Sequence, residues 1–154
     1  MRIQYMHTHL LQAHVPCFSM SDLAKRELDD WRAFLSAHAR ITRAINADLL
    51  AAGLPDLTWY DALWALHEAP DRRLRVSELA DAVVLSPTGM SRFVDRLERD
   101  GLVRREAVPG DRRALHVVLT DAGVELLRRM WPVYSAGITA HFVPALADGL
   151  RSPA

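Results

Sequence analysis

A chain of 154 residues, half of them hydrophobic and a quarter charged, has room for one compact domain plus an extension, with a core that needs no covalent staples. Its single cysteine excludes a disulfide framework and a thiolate zinc cluster and fits a reducing, cytoplasmic setting, while no apolar run approaches the roughly 20 residues of a membrane helix, no signal peptide is legible, and no membrane partner is expected. The formal net charge of zero argues against a nucleic-acid protein, which usually carries a basic footprint.

That zero is a balance of unequal parts. Residues 72–113 hold ten arginines against seven acids, and the rest of the chain holds nine basic groups against twelve acids. Only Lys25 is a lysine, a bias that an arginine-rich proteome explains by itself, so the positions of the arginines matter more than their identity.

Residues 1–20 have no clean period and read as an N-terminal extension. Ser21 or Asp22 then caps a long first helix in which Leu28, Trp31, Leu35, His38, Ile41, Ile45 and Leu49 form one stripe, stopped by Gly53 and Pro55. A helix this long needs a large partner surface, and a second subunit is the natural source. Thr58 and Asp61 have the spacing of a cap and its third helical residue, starting a second helix that runs to about Ala69 before Pro70. A short third helix covers about Val76–Val83, with Leu79 and Ala80 inward. The fourth is the best marked: Ser86 caps it, Pro87 takes the first helical position, and Gly101 supplies the left-handed exit. Met90, Phe93, Val94 and Leu97 are its apolar face.

After Gly101 the period falls to two, predicting strands Leu102–Val108 and Arg113–Leu119 joined at Pro109–Arg112. Leu115, Val117 and Leu119 should share one face, with His116 and Val118 on the other. Thr120 then caps a fifth helix through about Phe142, bent by Pro132 and ended by Pro144. The fold class is therefore mainly α with a small β-hairpin wing. Residues 21–55 and 120–154 form a helical region with dimerising helices, and residues 56–119 form a winged helix-turn-helix lobe.

Helix, short turn and capped helix over Val76–Arg99 are the parts of a helix-turn-helix, whose second helix enters the DNA major groove. Ser86, Thr88, Ser91, Arg92 and Arg99 lie at its N-terminus or on its outward face, where hydroxyls and guanidinium groups reach bases and phosphates. Arg112 and Arg113 tip the hairpin, and arginine suits a narrow, electronegative minor groove. Arg104 and Arg105 on the first strand are expected to hold phosphates, and Asp111 to orient a neighbouring arginine.

These residues resemble the MarR-type winged helix-turn-helix transcriptional regulators over about residues 23–147. The specific part is Leu79-Ala80, the run Ser86–Glu106, and the pattern Asp111, Arg113, Leu119-Thr120 in the wing. The resemblance implies a homodimer on a pseudo-palindromic double-stranded operator, with Thr88, Ser91 and Arg92 facing the major groove and Arg113, braced by Asp111, in the minor groove. It also implies a small aromatic or lipophilic effector, held among His38, Arg43, Trp59, Trp64 and His67. Family members commonly continue for a further helical stretch past the position of Pro144; here the N-terminal extension is expected to cover the dimer surface this leaves open.

Other readings stand beside these. Trp31, Trp59, Trp64 and Trp131 serve equally as core or dimer residues, and His38 and His67 as satisfied interior side chains. Cys17, with Pro16 beside it and no basic neighbour, reads as an incidental thiol rather than a redox sensor. His7, His9, His14, His38, His67, His116 and His141 show no pair at metal-ligand spacing, so no metal is expected. No phosphate loop, nucleophile elbow or metalloprotease pattern is present; no enzyme and no cofactor are expected. A winged helix used for protein docking, or a ligand- or metal-binding protein with DNA contact secondary, are the alternatives in function.

Overall fold

The computed structural model describes residues 25–83, 87–108 and 111–149; the side chains of 87–88 and 111–114 lie outside the description. Helix α1 (Lys25–Ala51) is followed by α2 (Leu57–Glu68), strand β1 (Arg73–Arg75), α3 (Val76–Ala82) and α4 (Pro87–Arg99). Strands β2 (Val103–Val108) and β3 (Asp111–Leu119) come next, then α5 (Asp121–Gly137), a π-helical turn (Ile138–Phe142) and α6 (Val143–Ala147). The sheet is antiparallel with order β1-β3-β2. None of these helices is long and apolar enough to cross a membrane.

One core joins the elements. Leu49 of α1, Leu63 and Leu66 of α2, Leu79 of α3, Met90, Val94 and Leu97 of α4, Val117 of β3 and Met130 of α5 are all fully buried. The four apolar positions expected on α4 are all inside, which fixes its opposite face outward. On α1 the stripe divides. Ile45 and Leu49 are buried, whereas Trp31, Leu35 and His38 are exposed.

Local chemistry moves several boundaries. Asp56, not Thr58, caps α2: its carboxylate accepts from the Thr58 amide at 2.9 Å, and Asn46 of α1 takes the Leu57 amide at 2.8 Å. An aspartate two residues earlier offers a stronger acceptor than the threonine hydroxyl, so Thr58 is already helical. Strand β1 has no apolar alternation of its own and is made a strand by its partner, pairing Arg73, Leu74 and Arg75 with Val118, Val117 and His116. Before it, Asp71 and Arg72 both hold left-handed backbone, with φ of 53° and 55°.

Burial along β3 does not simply alternate. Leu115 is exposed, because the hairpin projects past the core there and its partner Ala107 is exposed too. Val118 is buried on the central strand, with Arg73 of β1 and Arg104 of β2 as its partners on either side. Pro144 also does not end the helical path. Its ring removes an amide and crowds the carbonyl four residues back, and the chain answers by widening: the Val143 amide bonds Ile138 O across five residues, and α6 continues.

Candidate nucleic-acid interface

Ser91, Arg92 and Arg99 are exposed on α4, the flank opposite its buried Met90, Phe93, Val94 and Leu97. Arg92 and Arg99 make no ion pair among the described residues. Arg96, which the sequence reading passed over, is also exposed and stands 5.2 Å from the centre of the Phe93 ring. Ser86, and the side chains of Thr88, Asp111, Arg112 and Arg113, lie outside the described residues, as does Cys17.

Helix α4 ends on Gly101, at φ 73°, where the Leu102 amide returns to Leu97 O at 2.9 Å and the chain turns into β2. The two arginines of β2 differ. Arg104 is exposed and, among the described residues, bonds Glu106 on its own strand, through Nε at 3.1 Å and Nη2 at 2.5 Å. Arg105 is half-buried against α4, with Nη2 2.6 Å from Asp95 Oδ1 and Nη1 on Glu98 Oε2. Partial burial works against its charge, but the hydrogen bonds to Asp95 and Glu98 outweigh that and lift its pKa above the ordinary arginine value.

A cavity of about 670 Å³ opens between α2 and α5. Tyr60, Trp64, Trp131 and Tyr134 wall it: Tyr60 stacks on Trp64 at 6.0 Å between ring centres and meets Tyr134 at 4.7 Å. Arg72, Arg128 and His67 supply the polar part of the lining, and His67 Nδ1 is buried with no partner among the described residues. Burial, then the neighbouring Tyr134 and Asp61 charges, push the Tyr60 phenol upward; burial and Asp61 do the same to Tyr134. Both phenols therefore stay protonated donors at neutral pH.

Of the five residues expected around an effector, Trp64 and His67 meet in this cavity. Trp59 instead packs edge-on against Phe93 at 5.6 Å, His38 lines a separate groove of about 320 Å³ with Phe34, Phe142 and Leu146, and Arg43 is exposed. Among the described residues no three His, Cys, Asp or Glu side chains cluster as a metal site.

A family model described as MarR family matches residues 52–114. The crystal structure of AbsC, a MarR family transcriptional regulator from Streptomyces coelicolor, is similar with TM-score 0.70 and 35% identity, over 79% of this chain and 82% of AbsC. The chain belongs to the MarR family. Sco3205, a second MarR family transcriptional regulator from Streptomyces coelicolor, was solved in complex with DNA and matches with TM-score 0.69 and 36% identity, over 77% of this chain and 74% of its own. The transcriptional repressor MprA of Escherichia coli is 32% identical over 111 residues, which is 72% of this chain and 62% of MprA, under two thirds of that relative's length.

Of the ten residues that line the cavity in this MarR-family chain, the sequence pointed only to Trp64 and His67; Tyr60, Arg72, Arg128, Trp131 and Tyr134 were not expected there. The spacing of Tyr60 and Trp64 on α2, and of Trp131 and Tyr134 on α5, places aromatic pairs on one side of each helix and was the available signal. Arg72 carried none, since its place depends on the left-handed turn that throws it beside α5, 3.8 Å from Asp121.

Proposed function

We propose that the chain is a homodimeric repressor that reads a pseudo-palindromic operator in double-stranded DNA, with α4 in the major groove and the β2–β3 hairpin, tipped by Arg112 and Arg113, in the minor groove. The division of α4 carries this reading: an unbroken apolar face is buried, and Ser91, Arg92 and Arg99 are exposed on the other side. Hydroxyl and guanidinium donors on the outer face of such a helix are the groups that bond phosphates and the guanine edge. The similarity to Sco3205, whose crystal structure contains DNA, supports the same use of the lobe.

Two-fold operators need two-fold proteins, and the surface for pairing is apolar. Trp31, Phe34 and Leu35 of α1, with Phe142, Val143 and Leu146 near the C-terminal end, are 40–56% exposed in the single chain. Contiguous apolar area of this kind marks an interface. Chemical complementarity of the α2–α5 cavity favours a flat aromatic effector bearing a negative charge, stacked on Trp64 and Trp131 and met by Arg72, Arg128 and the two phenols. The reading places the protein in the cytoplasm with its DNA and includes no catalytic step.

Selection of duplexes from a random pool by the full chain tests the proposal. The expected product is an inverted repeat with half-sites about 10 base pairs apart, matching recognition helices about 34 Å apart. A pool that gains no repeat contradicts it.

A further inference from the structure

On the outer side of the lobe, the Arg105 side chain ties strand β2 to α4. The Arg105 guanidinium donates from Nη2 to Asp95 Oδ1 at 2.6 Å and to the Ser91 carbonyl at 3.5 Å, and from Nη1 to Glu98 Oε2. Its own amide donates to Glu98 Oε1 at 3.0 Å. These contacts run from Ser91 to Glu98, about two turns of the recognition helix. The side chain is 22% exposed, against 56% for Arg104 next to it.

An approaching phosphate would have to take this guanidinium from two carboxylates that already fill its fork. One cation between two anions also leaves the cluster with a net negative charge, which repels phosphate rather than attracting it. The shape of arginine explains its use here. A planar fork bonds two acids and a carbonyl at once, whereas an ammonium on a flexible stem is a single point charge.

We propose that Arg105 is a positioning residue that pins the wing to the recognition helix and does not itself touch DNA. The inference rests on the DNA-binding reading above. By holding β2 to the flank of α4, Arg105 sets the offset between side chains in the major groove and the hairpin tip in the minor groove. That offset decides whether both sets of contacts form together on the correct sequence, so its loss falls on specific binding more than on general attraction to phosphate.

The test uses the full chain with Arg105→Met and Arg105→Lys, titrated from about 50 to 200 mM salt against the duplex selected by the unsubstituted protein and against a scrambled duplex. The expected result for Arg105→Met is a loss of about tenfold or more on the selected duplex, a change within about threefold on the scrambled one, and a salt slope within about one unit of the original. A phosphate contact would instead give parallel losses on both duplexes and a slope shallower by about two per dimer, overturning the proposal.

Arg105→Lys guards against a simple folding defect. A lysine serves well enough against a phosphate but cannot bridge Asp95 and Glu98, so positioning predicts loss of discrimination and a phosphate contact predicts near-normal binding. Should the unsubstituted protein select no duplex, the DNA reading fails by itself. The clamp is then read without DNA, from hydrogen exchange of the Arg105 amide, which must quicken in the lysine variant; unchanged protection refutes it.

Discussion

Charge alone did not separate the arginines of this lobe; their partners do. Arg104 and Arg105 stand next to each other in sequence, yet one bonds along its own strand and the other is held by α4, while Arg92 and Arg99 make no ion pair among the described residues. Replacing Arg92 with alanine is therefore expected to cost about 1–3 kcal/mol on the selected duplex and to relax the preference at one base pair of each half-site, as read by titrating single-base variants. Equal losses on every variant would make Arg92 a phosphate contact instead. Asp61 gives a second test at this scale. Burial and then the charge of Asp56 raise its pKa above the ordinary aspartate value, so the folded state favours the protonated form. A carboxyl raised in this way supports stability below its unfolded pKa, and that support is lost as pH rises through the folded value. Asp61→Asn should accordingly melt higher than the original protein at pH 7, with the gap closing as pH falls below the aspartate range. A gap that stays constant across that range would place the cause outside the titration.

The entrance to α5 shows how elements, rather than single contacts, position the wing. Thr120 caps the helix, accepting from the Gly123 amide at 3.2 Å and donating to Gly101 O at 2.7 Å, so one hydroxyl ties the end of α4 to the start of α5. Gly123 lies so close to the sheet that an added methyl group would meet the Leu102 carbonyl and stand 2.6 Å from Leu119 Cδ1. A backbone carbonyl cannot rotate away. Gly123→Ala should lose about 1–3 kcal/mol of stability in denaturant unfolding, and DNA affinity should fall with it as the hairpin base shifts. The helices were legible from sequence wherever their signals were local: the Leu79-Ala80 pair, the apolar face of α4, and the Gly101 exit are all as read. What was not legible depended on distant partners. Strand β1 is three residues whose only reason to be extended is β3, the cap of α2 is settled by competition between Asp56 and Thr58, and Pro144 is absorbed because a π turn can widen around it. Likewise, the cavity needed the left-handed Asp71-Arg72 turn to bring Arg72 to α5, and no spacing rule foretells that for two residues other than glycine.

At the scale of the whole molecule the balanced charge resolves into separate jobs. Much of the basic surplus in residues 72–113 is already engaged within the protein: Arg72 lies near Asp121, Arg73 bonds Asp71 at 2.8 Å, and Arg104 and Arg105 hold carboxylates. Fewer arginines remain for phosphate than a count of the lobe suggests, among them Arg92, Arg96 and Arg99 on α4. On α1 the exposed Asp29 and Asp30, paired with Arg32 and Arg26, flank the apolar surface proposed for pairing. If a dimer neutralises about eight phosphates, four for each lobe, the logarithm of the binding constant should fall against the logarithm of salt concentration with a slope of about −7. The same slope should hold on the scrambled duplex at lower affinity, because counterion release is blind to sequence. Exchanging Leu35 for glutamate in the proposed pairing surface sharpens the test. A monomer presents one lobe, so its slope should halve to about −3.5 while its fold, seen by circular dichroism, is retained. A Leu35→Glu protein that stays dimeric by sedimentation and keeps the full slope would place the pairing surface elsewhere on the chain.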